Sequence, residues 1–165
     1  MADISNSNLF QLTTGTHDFS GACVVLVRTE WNATIIDALE SGCRKILYKY
    51  EVTNIITITV PGAIEIPFAV KAFYEGNTEL KADAFITLAC VIQGDTPHFD
   101  FVCRSVTDGV TQLNLLLNVP VIFGVLTVNT QQQAEERMGG KHGHKGEEAA
   151  ITALKMIALN VSLKK

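Results

Sequence analysis

Short, β-branched apolar runs alternate with segments of helical periodicity along most of this chain, and this order limits the folds it can adopt. Four runs have the length and composition of strands: GACVVLVR at 21–28, NIITITV at 54–60, ADAFITLACVI at 82–92 and PVIFGVLTV at 120–128. The first run is apolar throughout, which is typical of a strand covered on both faces in a parallel sheet. The runs therefore predict an α/β protein.

Between the runs, apolar side chains recur at steps of three and four residues. Helices are predicted from Asn32, a candidate N-cap, to Tyr50, from about residue 66 to Gly76, and from Phe99 to Leu117. The last segment is expected to be helical up to Arg137, then interrupted by glycines and closed by a second helix. Strict alternation implies right-handed crossovers, and hence a three-layer α/β/α sandwich around a four-stranded parallel sheet.

Composition argues against several functional classes. The chain has 165 residues, an apolar fraction of 47% and a net charge of -4, which fits a globular protein and argues against nucleic acid as a partner. No apolar run has the length of a membrane span, and the first residues lack a basic region followed by an apolar stretch. We therefore expect a cytoplasmic protein without a membrane partner, and the apolar excess indicates subunit contacts.

The cysteines and the first residues carry two further expectations. The four cysteines have no CxxC spacing, so reduced core thiols are favoured over metal ligands at Cys23, Cys43, Cys90 and Cys103. Residues 1–20 are predicted to form an N-terminal arm, and residues 21–165 a single domain. Because the arm is polar except at Leu9, Phe10 and Leu12, it is either frayed or an extra strand that pairs with a neighbouring subunit.

In open parallel sheets, ligands bind beyond the carboxyl ends of the strands, so the loops there are the candidate site. Trp31 follows the first strand, where a tryptophan serves either packing or ligand stacking. Glu65 follows the second strand, close to a helix start. Its carboxylate either interacts with the helix dipole or binds a ligand.

The loop after the third strand, QGDTPHFD, is the most informative. Gly94 lets the backbone approach a ligand, and the amides of Asp95 and Thr96 at a helix start suit an anion such as phosphate. His98 lies within one turn of them. A histidine there is either a solvated cap or, beside an anion site, a proton donor and acceptor near neutral pH.

Two later segments have competing interpretations. Phe123 on the fourth strand is expected in the core, although alternation allows the surface. The glycine-rich segment RMGGKHGHKGEE contains Arg137, His142, His144 and Lys145 and either binds phosphate or is a solvated loop. The two histidines alone are too short a motif for a metal site.

Taken together, four segments resemble the successive signature segments of lumazine synthases: VPGAIEIP, CVIQGDTPHFDFV, PVIFGVLTVNTQQQAEERMGG and HKGEEAA. The resemblance runs from about residue 20 to 160. It implies a flavodoxin-like sandwich and an enzyme of riboflavin biosynthesis. This enzyme would condense 5-amino-6-(D-ribitylamino)pyrimidine-2,4-dione with 3,4-dihydroxy-2-butanone 4-phosphate to 6,7-dimethyl-8-ribityllumazine, releasing phosphate and water, without metal or cofactor.

The resemblance also implies a role for each matching residue. The pyrimidine ring would stack on Trp31, and its polar edge would bond to the backbone of Cys90, Val91 and Ile92. The ribityl chain would be held by Ala63, Ile64 and Glu65. The phosphate would be held by Gly94, Asp95, Thr96 and Arg137. His98 would transfer protons, and Lys145 and a neighbouring subunit's Phe123 would add substrate contacts. Glu148 is expected to contact His98, and His144 stands where the family often has Asn.

The family resemblance implies a homo-oligomer built from pentamers, closed into a hollow icosahedral shell, with riboflavin synthase as a candidate partner. Two alternatives from other classes remain open at this point. A parallel sheet with a phosphate loop and a stacking tryptophan also suits a flavin-binding module. The chain could also be a non-catalytic shell protein on the same fold.

Overall fold

The computed structural model describes residues 7–11 and 18–164. Its strands are β1 (Cys23–Thr29), β2 (Asn54–Val60), β3 (Ala84–Ile92), β4 (Val121–Val128), β5 (Met138–Gly140) and β6 (Gly143–His144). Its helices are α1 (Ala33–Lys49), α2 (Ile66–Gly76), α3 (His98–Leu116), α4 (Gln131–Glu135) and α5 (Lys145–Leu163). A short 3-10 turn, Ala63–Glu65, precedes α2.

The central sheet is parallel and has the strand order β2-β1-β3-β4. Helices α1 and α5 cover one face, and α2 and α3 cover the other. This arrangement confirms the predicted three-layer sandwich. The register pairs Thr29 with Val60, so β1 and β2 end level with each other and the loops that follow them lie side by side.

Alternate side chains of β1 enter two separate cores, which explains why this strand is apolar throughout. Val24 and Leu26 pack towards α1 and α5, while Val25 and Val27 pack towards α2 and α3, and all four are fully buried. Strand β2 lies at the sheet edge, where every residue except the buried Val60 is half-exposed or exposed. The continuous burial of β1 confirms the prediction that this strand is covered on both faces.

The start of α1 is where the sequence predicts it, but its capping differs. Asn32 is the N-cap residue in a left-handed conformation, with φ of 57°, and its side chain makes no capping hydrogen bond. Instead, Asn32 Nδ2 donates to the carbonyl of Cys90 at 2.8 Å. Asn32 is therefore the N-cap residue by position, as predicted, but its side-chain amide bonds to the neighbouring strand instead of to the helix.

The predicted glycine-rich break is an antiparallel hairpin of β5 and β6. Gly139 and Gly143 adopt positive φ angles of 112° and 77°, which side chains with a Cβ rarely tolerate. At the base of the hairpin, the backbone N–H of Lys145 donates to the carbonyl of Arg137 at 2.8 Å. The hairpin therefore joins the end of α4 to the start of α5.

Part of the predicted N-terminal arm is described. Leu9 packs, half-buried, against the α1 and α5 side of the core, and Lys155 Nζ donates to the carbonyl of Asn8 at 3.0 Å. Residues 1–6 and 12–17 lie outside the described residues, so the predicted extra strand stays a prediction. Across residues 7–11 and 18–164, none of the helices combines the length and the apolar character that crossing a membrane requires.

Candidate active site

A pocket of about 420 Å³ opens at the carboxyl ends of β1, β2 and β3. Its volume is in the usual range for small-molecule sites. The pocket brings together eight of the residues that the sequence singles out: Trp31, Ala63, Ile64, Glu65, Cys90, Val91, Ile92 and His98. Five other lining residues come from the same strand ends and helix starts, and sequence reasoning did not assign them to the site: Thr29, Asn32, Gly62, Ala89 and Val102.

Trp31 and Glu65 face the pocket from neighbouring loops. Trp31 is 73% exposed, so its ring is available for contact with a ligand rather than buried as core. A Cβ atom on Gly62 would lie 3.0 Å from a Glu65 carboxylate oxygen and 3.6 Å from Trp31 Cδ1. The Trp31 indole and the Glu65 carboxylate therefore lie on either side of Gly62, which has no side chain to separate them.

Asn32 is the clearest residue that sequence reasoning missed. Its bond to the Cys90 carbonyl ties the loop after β1 to the end of β3. This bond anchors the residue at the start of α1 to the neighbouring strand. The available signal was its position immediately after the candidate stacking residue.

Cys90 forms part of the pocket wall as a neutral thiol. It is 4% exposed, and burial raises its pKa to about 11. A thiol with so high a pKa is a poor nucleophile at neutral pH, because the reactive form is the thiolate. Cys90 therefore contributes shape and backbone groups to the site.

His98 is the first residue of α3, exposed to solvent and facing the pocket. Gly94, Asp95 and Thr96 precede it in an exposed loop. A Cβ atom on Gly94 would meet nothing within 4 Å, so the backbone of the loop is open to a ligand. Val102, one turn after His98, adds an apolar side chain to the pocket lining.

A second concave surface, which we call the β4 groove, has a volume of about 460 Å³ and lies along β4 and the start of α5. Phe123, Lys145 and Glu148 line it, and none of them lines the pocket. Phe123 is 41% exposed, so the expectation that it belongs to the core is wrong. The reason is that β4 is an edge strand, where a side chain has fewer neighbours to cover it.

The charges of the β4 groove form a pair. Lys145 Nζ donates to Glu148 Oε2 at 2.7 Å, and both side chains are largely buried. Glu148 Oε1 is also buried and has no hydrogen-bond partner among the described residues. The expected contact of Glu148 with His98 is wrong within one chain, because Glu148 turns to Lys145 in the β4 groove.

Arg137 is only 7% exposed, and its guanidinium donates to the carbonyl of Gln133. It does not line the pocket, although it was predicted to share a phosphate site with the 94–96 loop. Its carbonyl accepts from the N–H of Lys145, so Arg137 is joined to the segment that enters the β4 groove.

Comparison with known proteins gives consistent results. A family model described as 6,7-dimethyl-8-ribityllumazine synthase matches residues 21–161. Relatives bearing that name include a Bacteroides fragilis protein, 51% identical over 142 residues that cover 85% of this chain and 97% of the relative. A Porphyromonas gingivalis protein is 52% identical over 132 residues, covering 79% of this chain and 80% of the relative. A Parabacteroides distasonis protein is 46% identical over 142 residues, covering 85% and 87%.

The family match includes all four strands of the central sheet, the pocket and, apart from Leu9, the residues that line the β4 groove. It also includes the four segments that carry the sequence resemblance, together with the strand-end loops that form the pocket. The similarity is therefore not confined to the core of a common fold. By sequence and by architecture, the chain belongs to the 6,7-dimethyl-8-ribityllumazine synthase family.

Proposed function

We propose that this chain catalyses the reaction for which its family is named, the formation of 6,7-dimethyl-8-ribityllumazine in riboflavin biosynthesis. The observation that carries the proposal is the pocket at the sheet edge, where an exposed indole, a carboxylate and an imidazole line one cavity. The reacting partners are an aminopyrimidine bearing a ribityl chain and a four-carbon ketone phosphate. The catalytic unit is the domain of residues 21–165.

The pocket suits the pyrimidine substrate. Trp31 offers a large exposed aromatic face on which a heterocyclic ring can stack. Cys90, Val91 and Ile92 line the pocket at the end of β3, and in our assignment their backbone groups bond to the polar edge of the ring. In our assignment, Ala63, Ile64 and Glu65 bind the ribityl chain, and the Glu65 carboxylate accepts hydrogen bonds from its hydroxyls.

The chemistry needs proton transfer and a place for the departing phosphate. The substrate amine attacks the ketone carbon and a first water leaves to give an imine, and phosphate is then eliminated. The enol that remains becomes a ketone, and the ribitylamino nitrogen attacks its carbon with loss of a second water, which closes the ring. His98 lines the pocket and is placed to give and take protons in these steps. The open 94–96 loop at the start of α3 offers amides to the phosphate. Much of the rate enhancement comes from holding both substrates together.

We also propose that each active site is shared between two subunits. In our assignment, Lys145 and Phe123 of the β4 groove contact the substrate, and Arg137, which is joined to Lys145 through the backbone, binds its phosphate. Glu148 Oε1 is buried without a hydrogen-bond partner among the described residues, and such an acceptor costs free energy of folding. This supports a hydrogen-bond donor supplied by a neighbouring subunit or a substrate. In this arrangement, the β4 groove of one subunit covers the pocket of the next and closes the open face of a ring stacked on Trp31.

Exposed apolar side chains support such an assembly. Phe68 on α2 is 78% exposed and Phe101 on α3 is 69% exposed, on the two helices that flank the pocket. Large exposed apolar residues of this kind are typical of subunit interfaces. We propose a closed ring of five subunits, and a hollow icosahedral shell of such pentamers as the final form, with riboflavin synthase as a candidate partner. The described cysteines are all free thiols, which supports a reducing, cytoplasmic location.

One assay separates this function from its two rivals. Purified protein is incubated with both substrates, and formation of the lumazine and of inorganic phosphate is followed. An active synthase produces both in equal amounts and is colourless as isolated. A flavin-binding module would carry visible absorbance through gel filtration and give no product. A non-catalytic shell protein would assemble but give neither, and either result would overturn the proposal.

A further inference from the structure

The hairpin before α5 contains a histidine to which the proposed reaction gives no role. His144 is the N-cap residue of α5, and its Nδ1 accepts a hydrogen bond from the backbone N–H of Glu147 at 3.4 Å. Its ring lies against Gly42 in the middle of α1. A Cβ atom on Gly42 would be 2.1 Å from the imidazole Cε1, so this position on α1 has room for a hydrogen atom only.

The start of α5 is held against α1 directly beside this ring. A Cβ atom on Gly146 would be 2.0 Å from the carbonyl oxygen of Leu39, so the two helix backbones are in close contact. Cys43 Sγ donates to the carbonyl of Gly146 at 3.0 Å. The N-terminal turn of α5 therefore packs directly on α1, and the His144 imidazole packs on α1 beside this contact.

The same ring is one residue away from Lys145. His144 pairs with Met138 across the hairpin, and the N–H of Lys145 donates to the carbonyl of Arg137 at 2.8 Å. The backbones of Arg137 and Lys145 are thus hydrogen-bonded to each other at the base of the hairpin. His144, which precedes Lys145, is the hairpin residue whose side chain packs on Gly42 of α1. A change at His144 would move both cations relative to the rest of the subunit.

We propose that His144 is a positioning residue that sets where Lys145 and Arg137 stand against the phosphate-bearing substrate. The inference rests on the proposed function, which assigns these two cations to substrate binding. It adds a residue that touches no substrate and acts by capping α5 and by packing against Gly42.

The test compares His144→Ala with His144→Asn in steady-state kinetics with both substrates. For His144→Ala we expect the Michaelis constant of the ketone phosphate to rise about tenfold or more, with a much smaller change in kcat, because small displacements of binding groups are costly. His144→Asn should restore most of the loss, since asparagine also caps helices well. His142→Ala is the matched control, because His142 lies on the same hairpin but does not cap α5. Within the described residues its imidazole has one acidic neighbour, Glu136, with His142 Nε2 at 3.6 Å from Glu136 Oε2. This variant should behave as wild type.

Gly42→Ala provides an independent variant that leaves His144 in place. The added methyl group should displace the imidazole and raise the same Michaelis constant, although alanine is the better residue for a helix interior. In the His144→Asn background, Gly42→Ala should have little further effect, because the ring it displaces is gone. Additive effects of the two changes would show that Gly42 acts independently of His144 and would overturn the proposal.

The remaining outcomes are also decisive. If wild type and His142→Ala turn over while His144→Ala keeps the wild-type Michaelis constant, this inference is overturned and the proposed function stands. If asparagine fails to rescue, or if kcat and both Michaelis constants change together, His144 is ordinary hairpin packing. An inactive wild type would overturn the proposed function and this inference with it.

Discussion

Trp31 allows substrate stacking to be separated from protein stability. Its side chain is 73% exposed, so truncation removes little buried apolar surface, and Trp31→Ala should change the free energy of unfolding by no more than about 0.5 kcal/mol. Stacking of a nucleobase-like ring on an aromatic side chain contributes about 1–3 kcal/mol. At about 1.4 kcal/mol for each factor of ten, Trp31→Ala should raise the Michaelis constant of the pyrimidine roughly 5- to 140-fold.

Two assays measure this effect. Steady-state rates with the pyrimidine varied give the Michaelis constant, and Trp31→Phe should retain most of the affinity because phenylalanine also stacks. Trp31 is the only tryptophan of the chain, so pyrimidine binding should quench the intrinsic fluorescence of the wild type directly. An unchanged pyrimidine constant in Trp31→Ala, or an equal rise for the ketone phosphate, would refute the stacking assignment.

Three further predictions follow from the described contacts. His98→Ala should lower turnover roughly ten- to a thousand-fold with little change in the ketone-phosphate Michaelis constant, because acid–base assistance is partial when the imine can form unaided; unchanged turnover would remove His98 from the mechanism. Arg137→Ala should instead raise that Michaelis constant about tenfold or more through loss of a charge-assisted contact; a rise for the pyrimidine alone would make the phosphate assignment wrong. Burial raises the pKa of Cys90 from about 9 to about 11, and that of Cys43 further. Because these thiols then ionise first in the unfolded chain, their contribution to stability should be complete below about pH 9 and be lost as the pH rises above it. In urea unfolding, Cys43→Ala should reduce this alkaline loss, and parallel curves for the two proteins would contradict the attribution.

The fold was largely predictable from local pattern. Strand β2 spans the predicted residues 54–60, and α2 ends at Gly76 as predicted, because a run of β-branched residues and a glycine stop are local signals. The loops after three neighbouring strands also converged as the rule for parallel sheets predicts. These features depend on residues that are near one another in the sequence.

The features that sequence reasoning missed depend on distant partners or on strand order. Asn32 bonds to Cys90, 58 residues away, and the local sequence that marks Asn32 as a candidate N-cap does not indicate this distant partner. Phe123 was expected in the core because alternation of strands and helices does not reveal that β4 is an edge strand. Within one chain, Glu148 lies beside Lys145, to which the i to i+3 spacing brings it, and not beside His98 as expected. The division of predicted site residues between a pocket and the β4 groove could not be read from spacing.

Complementation of two inactive variants tests most directly whether one subunit's β4 groove completes the pocket of the next. The double variant Trp31→Ala, His98→Ala has a damaged pocket and an intact groove, whereas Phe123→Asp has an intact pocket and a damaged groove. When equal amounts co-assemble at random, about a quarter of the interfaces should pair an intact pocket with an intact groove. With subunit mixing verified by mass spectrometry, we expect the mixture to recover about a quarter of wild-type activity. A complete absence of activity in verified mixed assemblies would contradict the shared site and confine catalysis to a single chain.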